Sequence, residues 1–315
     1  MSTSLATTVP RSHGEPVSLP SPFLWFDPPW YRIDVDSCLF LADALTKVGI
    51  TVACGQRDLF QQDDVDFRDF RRMVAHRCDR SGLLYKDLRD ATIVDVRLIQ
   101  MRDRHGRFAY PINQLRRWAN QEETQVDMSI DAMLFPPEWI SLDDMTAKIA
   151  QLRRLSGASV SVSIDECCMA EMLPPILRAR ADMLVIRTSG DPVASIVQAK
   201  QMLNASGGGE IPLWIVPTLP LSAEDCVKCF AMGASGIAID AMFTDALMHL
   251  DDMARTTAQR AAISFGGSVE SDESDRIVEL VDRVVKRFID DVSGFAHSCG
   301  VGKMSELNES HVRRR

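Results

Sequence analysis

The stretch Asp182-Met-Leu-Val-Ile-Arg-Thr188, followed after one helical pattern by Ile211-Pro-Leu-Trp-Ile-Val-Pro217, decides the fold. Met183–Ile186 and Leu213–Val216 are unbroken apolar runs. A strand with one wet face alternates apolar and polar residues. A strand covered on both faces need not, and crossover helices cover both faces of a parallel sheet. Between the two runs, Val193–Leu203 has helical spacing and stops at Asn204 and the turn Gly207-Gly208-Gly209, the residue types that end helices in a left-handed conformation. Strand, helix and parallel strand make one βα repeat.

The same alternation extends in both directions. Further β-rich runs lie at Tyr31–Val35, Ile50–Cys54, Thr92–Ile99, Val126–Leu134, Ser159–Ile164 and Ser235–Ala241. Leu142–Leu155 carries Met145, Ile149 and Leu152 on one helical face, with Ser141 placed to cap it and Asp144 three residues on. Ala170–Arg180 contains Pro174-Pro175, so this helix either starts at the prolines or is broken there. Ser222-Ala-Glu-Asp225 opens a helix that ends at Met232-Gly233. Eight strands separated by helices predict an α/β fold, a single (β/α)8 TIM-type barrel over residues 23–262. Phe243–Arg260 is helical in pattern, Ser264–Asp275 is a loop, and Arg276–His297 is amphipathic, with Ile277, Leu280, Val281, Val284, Val285, Phe288 and Val292 at helical spacing. That last helix reads as packing on the barrel wall, with a dimer helix as the alternative, so a homo-oligomer stays open. Residues 263–315 form this C-terminal extension, and its turn Cys299–Val301 and Arg313-Arg314-Arg315 read as a solvated end. Residues 1–22, rich in Ser, Thr and Pro, read as a disordered tail.

Composition narrows the function. The 315 residues are 46% hydrophobic and 25% charged, ample for one large core. With 44 acidic against 35 basic residues the formal charge is −9. That balance argues against a nucleic-acid partner or an anionic membrane surface. No apolar run approaches the roughly 18 residues of a membrane span, and Met1–Pro20 lacks the apolar core of a secretion signal. The eight cysteines are scattered through a chain too long to need stapling. They read as reduced thiols, and the expected setting is cytoplasmic.

Leu213–Met242, with Asp225, Gly233-Ala234 and the strand Gly236–Ile239, resembles the last two βα units of FMN-binding barrels, most closely the glutamate synthase-like family. Other segments match in order. Ile93-Val-Asp-Val-Arg-Leu-Ile-Gln100 resembles the family's strand ending in Lys-Leu-Ser-Gln, and Phe135-Pro136-Pro137 with Ser141–Met145 resembles its Ser-Pro-Pro segment and following helix. Val160–Ile164, Ala181–Ile186 and His297–Leu307 resemble the next two strands and the closing helix and turn. The resemblance covers most of residues 30–311. It implies a flavin at the C-terminal mouth, its phosphate on glycine turns after the last two strands, a cationic strand residue beside the ring and a substrate above it. By position it assigns Arg97 and Gln100 to the flavin or substrate, and Ser163, Thr218, Leu219, Asp240 and Ala241 to the cofactor.

At those positions the chain departs from the family. Thr218-Leu219 replaces the Gly-Gly turn, and Pro220 removes a backbone donor. Asp240 replaces the glycine of the last strand's Gly-Thr pair, setting a carboxylate where a phosphate is expected. Ser163 stands for the strand lysine, and Thr188-Ser189-Gly190-Asp191-Pro192 for a longer glycine loop. Residues 242–262 hold no cysteine trio, so no iron–sulfur cluster is expected. The favoured expectation is a divergent, non-catalytic homologue whose FMN phosphate site is eroded and which binds a small ligand or a protein partner. The alternative is an active FMN-dependent oxidoreductase acting on 2-oxoglutarate or an imine.

Other constellations are weaker. Arg97 also reads as a strand-end residue salt-bridged to Asp95 or Glu166. Asp165, Glu166, Asp191 and Asp240 at strand ends could form a metal or acid–base site, or an acidic rim that caps helices. Cys226 and Cys229 have redox spacing but no second pair, and read as structural thiols. Cys167-Cys168 read as buried or partly buried thiols. His105 lies in a charged loop expected over the barrel mouth.

Overall fold

The computed structural model describes residues 3–12, 14–28, 35–54, 71–77, 85–98, 109–110, 130–131, 141–243 and 278–312. In chain order the elements are β1 (Thr7–Val9), β2 (Val17–Leu19), β3 (Phe23–Trp25), α1 (Val35–Lys47), β4 (Thr51–Ala53), β5 (Arg72–Arg77), α2 (Tyr85–Arg89) and β6 (Ile93–Arg97). There follow β7 (Ala109–Tyr110), β8 (Ile130–Asp131), α3 (Asp144–Ser156), β9 (Ser159–Asp165), α4 (Met169–Arg178), β10 (Met183–Thr188), α5 (Pro192–Ala205), β11 (Leu213–Pro217), α6 (Ala223–Ala231) and β12 (Gly236–Ala238). A π-helical segment, Val281–Lys286, leads into α7 (Arg287–Ser298), and α8 (Glu309–Val312) follows.

The strands β3, β4, β5, β6, β9, β10, β11 and β12 pair in that order, all parallel, and β12 closes on β3. This is a closed (β/α)8 barrel, as the sequence predicts, although two of its strands are not those expected. The first is Phe23–Trp25, whereas Val35 of the expected Tyr31–Val35 strand begins α1. Arg72–Arg77 supplies the third. Its charged ends mask it in the sequence, but Arg72 is fully buried and pairs with buried Asp87 of α2 at 3.0 Å. Tertiary pairing therefore hides a charge that local polarity would place in water. From the expected strand Val126–Leu134 only Ile130–Asp131 is described, and it pairs antiparallel with Ala109–Tyr110 outside the barrel.

Alternation along each strand separates two cores. Outward residues such as Trp25, Val94, Val162, Ile186 and Ile215 pack under the helices. Inward residues Leu24, Met73, Ile93, Met183, Val185, Trp214 and Ala238 fill the barrel. Val9 and Leu19 belong to that inner cluster and are fully buried. The hairpin β1–β2 therefore plugs the N-terminal end of the barrel, tied down by Arg71 Nη1 donating to the Ser18 carbonyl at 2.6 Å and Ser12 Oγ to Asp182 at 2.5 Å. The expected disordered tail is corrected by this hairpin: few apolar residues suffice when they are placed at the open end of a barrel. The C-terminal end is tied to the same segment. Thr3 Oγ1 donates to the Val301 carbonyl at 2.7 Å, Ser4 bridges to Lys303, and Val301, Met304 and Leu307 are buried. The expected solvated turn at Cys299–Val301 is thus part of the wall.

The expected cap at Ser141 is corrected: α3 begins at Asp144 after Asp143, which makes no side-chain cap hydrogen bond, and Ser141 Oγ accepts from the Asp143 N–H ahead of the helix. Other helix signals are chemical and clear. Ser222 and Asp225 form a reciprocal capping box on α6, and Gly157, at φ 64°, ends α3 in the left-handed conformation. The prolines mislead: α4 runs through both Pro174 and Pro175. Burial of Met169, Met172, Leu173 and Ile176 holds that helix despite the backbone bonds the prolines remove. Among the described residues no helix is long and apolar enough to cross a membrane.

Trp214 spans the barrel interior over Gly236, where an added Cβ would lie 2.2 Å from the indole ring. Gly236→Val is expected to overpack this layer and destabilise the protein by about 1–3 kcal/mol, measured by urea unfolding followed by intrinsic tryptophan fluorescence. An unchanged midpoint would contradict this packing.

Candidate functional site

The C-terminal mouth is built on the inward residues of β6, β9 and β10. Register pairs Asp95 with Ser161, Arg97 with Ser163, and Asp165 with Arg187. Asp95 is fully buried. It accepts hydrogen bonds from Ser161 Oγ at 2.8 Å, Ser163 Oγ at 2.8 Å and Arg97 Nε at 3.1 Å. A carboxylate inside a barrel is tolerable only when its lone pairs are satisfied in this way.

Arg97 reaches further out. Nη2 donates to the Phe26 carbonyl at 3.0 Å, Nη1 lies 3.4 Å from Asp27 Oδ1, and the guanidinium carbon sits 3.8 Å from the Phe26 ring centroid, a cation–π contact. Asp240 holds the same dipeptide from the other side, accepting from the backbone N–H of Phe26 at 2.9 Å and of Asp27 at 2.6 Å. Burial raises the Asp240 carboxyl to about 6, helped by the Asp27 carboxylate and opposed by the backbone donors, its own N–H among them. Phe26-Asp27, at the end of β3, is thus clamped between Arg97 and Asp240.

The other acidic side chains are engaged separately. Arg187 pairs with Asp165 at 2.6 Å. Glu166 accepts from Ser195 Oγ at 2.6 Å, Ser189 Oγ at 2.7 Å and the Ser189 N–H at 3.1 Å. Burial pushes the Glu166 carboxyl up, but these hydrogen bonds outweigh it and hold it below the usual range. Asp191 caps α5 through the Val193 N–H at 3.0 Å. Among the described residues no group of three histidine, cysteine or acidic side chains stands where it could hold a metal.

The positions singled out in the sequence fare differently. Arg97 and Ser163 are brought together, and Arg97 does make the Asp95 salt bridge. Ser163 is fully buried on Asp95 instead of facing a ligand, because its small side chain sits beneath the guanidinium. Asp240 and Ala241 lie past the end of β12, where residues 240–243 turn into a helix. Thr218 and Leu219 are exposed, Leu219 by 64%, and take no part in the network. Gln100, His105 and Pro136-Pro137 lie outside the described residues. Cys226 and Cys229 are buried on α6, and burial raises both thiols, Cys229 to about 12. Phe26 and Asp27 escape sequence reading because they follow a three-residue strand that has no period to detect. The apolar run Phe23–Phe26 ending at Asp27-Pro28 was the available signal.

An FMN phosphate needs bare backbone donors or an available cation. Asp240 takes three backbone donors for its own carboxylate, the turn after β11 presents Thr218, Leu219 and Pro220, and Arg97 is shared between Asp95 and Asp27. The described residues therefore do not fit the phosphate at the turns where the family resemblance puts it.

No protein-family model matches the sequence, and no curated protein does. Solved structures do match by shape. A flavocytochrome b2 variant with pyruvate bound superposes with TM-score 0.56 at 11% identity, covering 100% of this chain and 74% of that one. Another flavocytochrome b2 variant, with benzoylformate, gives 0.54 at 10% identity over 99% of this chain and 74% of that one. At such identity the likeness shows the fold alone, a closed (β/α)8 barrel.

Two outcomes follow from this geometry. Asp95→Ala is expected to destabilise the protein by about 3–5 kcal/mol, because Arg97 loses its buried counter-charge and Ser161 and Ser163 lose their acceptor; urea denaturation measures it. Asp240 binds its proton more tightly folded, near 6, than unfolded, near 3.8. Its stabilising contribution is therefore complete below the unfolded value and lost as pH rises towards 6. The stability of the parent protein relative to Asp240→Asn should fall between about pH 4 and about pH 7, by up to roughly 3 kcal/mol. A flat difference would reject the raised carboxyl.

Proposed function

We propose that this chain is a divergent barrel of the FMN-oxidoreductase type, related to the glutamate synthase-like branch, that does not hold FMN at the usual phosphate turns. It acts as a non-catalytic homologue whose mouth receives a small ligand or a protein partner. One observation carries the reading: the Asp240 carboxylate sits at the last strand end, on the backbone donors of Phe26 and Asp27. A phosphate brought to about 4 Å of a carboxylate is repelled by about 1 kcal/mol per charge pair in water and by about 4 kcal/mol in a site of effective dielectric near 20. Arg97 and Arg187 are paired with Asp27, Asp95 and Asp165, so the neighbouring charges leave a negative balance and no surplus cation for a phosphate. The acidic balance of the whole chain, −9, points to a partner other than nucleic acid or an anionic membrane, and a cytoplasmic setting belongs to the same reading.

The second reading, an active FMN-dependent oxidoreductase for 2-oxoglutarate or an imine, draws on the barrel likeness and on Arg97 at the end of β6. It requires Arg97 to release Asp27, and Asp240 to surrender its amides to a phosphate. The two readings separate on one measurement. Full-length protein is incubated with excess FMN, desalted, and its visible spectrum recorded. The expected result is no retained flavin absorbance. Stoichiometric retention would overturn the proposal and restore the oxidoreductase reading.

A further inference from the structure

Cys167 and Cys168 are adjacent in the chain. Among the described cysteines, Cys54, Cys226 and Cys229 are buried, Cys168 and Cys299 are half-buried, and Cys167 is exposed. Cys168 meets the expectation of buried or partly buried thiols, and the exposure of Cys167 corrects it. The two lie in the 3-10 turn Glu166–Cys168, directly after β9 at the C-terminal end of the barrel. Their sulfurs stand 3.8 Å apart. The turn is held in place by Glu166, whose carboxylate is fixed on Ser189 and Ser195.

Two chemistries compete for adjacent thiols, and geometry separates them. A disulfide draws the sulfurs to about 2.05 Å and prefers Cα atoms about 4.4–6.8 Å apart. Neighbouring residues across a trans peptide have their Cα atoms only about 3.8 Å apart, so closing that ring strains it. A single soft atom bonded to both sulfurs at about 2.3 Å spans about 3.3 Å between them at the near-right angle of a pyramidal trivalent centre and about 3.8 Å at a tetrahedral one. The observed spacing lies at the upper end of that range, so bridging by one atom needs only about 0.5 Å of movement, against more than about 1.5 Å for a disulfide. Among the described residues no third histidine, cysteine or acidic side chain completes a metal-type group. The favoured occupant is therefore one that takes two bonds from the protein and brings its remaining ligand with it. Thiolates select soft, thiophilic centres.

We propose that Cys167 and Cys168 form a two-thiol binding site for trivalent organoarsenicals and like soft centres. The reaction balances without an oxidant. Each S–H proton leaves with one hydroxyl of the hydrated arsenical as water. Two arsenic–oxygen bonds break, two arsenic–sulfur bonds form, and arsenic remains trivalent. The burial-raised thiols of Cys226 and Cys229 are excluded from competing, since the thiolate is the nucleophile. The site stands apart from the flavin question.

The test uses the reduced full-length chain with phenylarsine oxide, desalting, alkylation of the remaining thiols and peptide mapping. One arsenical per chain is expected, protecting Cys167 and Cys168 together, surviving excess monothiol and released by a dithiol. Cys167→Ser and Cys168→Ser should each weaken retention about a hundredfold or more, as a chelate becomes a single bond. Because Cys167 is exposed, Cys167→Ser tests the site even if Cys168→Ser does not fold. Undiminished retention in Cys167→Ser, or protection mapped to Cys226 and Cys229, would overturn the proposal.

Discussion

A carboxylate buried inside a barrel must be satisfied from the barrel's own walls, and Asp95 sets that requirement here. Ser161 and Ser163 on the neighbouring strand supply two hydroxyls, and Arg97, two residues along the same strand, supplies the charge. Strand periodicity makes this work: residues 95 and 97, like residues 161 and 163, face the same side. The consequence reaches the mouth. Arg97, anchored below by Asp95, extends to Phe26 and Asp27, and Asp240 secures the amides of that dipeptide from across the closing seam between β12 and β3. The polar interior thus fixes the geometry of the face on which barrels of this class carry function.

The same network explains why the mouth is a poor cradle for a phosphate. Backbone donors bind anions when nothing else claims them, and here a side chain of the same chain claims them. The aspartate plays the part of an internal anion, and its carboxyl is raised because burial and the adjacent Asp27 outweigh the backbone donors. The turn after β11 acts in the same direction, since it presents the exposed side chains of Thr218 and Leu219 and Pro220, which has no backbone N–H. The core, by contrast, is intact: Trp214 fills the interior against Gly236, and the N-terminal hairpin seals the far end. A barrel can change its mouth while its packing persists, because few side chains belong to both.

The barrel class, the start of α6 at Ser222–Asp225 and the salt bridge of Arg97 to Asp95 were legible from residue types and spacing. Each is a local property, a period of two or a polar side chain a few residues from the group it satisfies. By itself the sequence determined an alternation of strands and helices and an aspartate, Asp240, just past the last strand. Tertiary structure decided the rest. Arg72 reads as solvent-exposed until Asp87 neutralises it, the prolines of α4 read as a break until burial overrides them, and Val9 and Leu19 read as a tail until the barrel end receives them. Phe26 and Asp27 become part of the site only because β12 closes on β3, bringing Asp240 to residues more than two hundred positions away. Such pairings carry no local signal, since the free energy that selects them arises from burial and charge compensation between segments that meet only when the barrel closes.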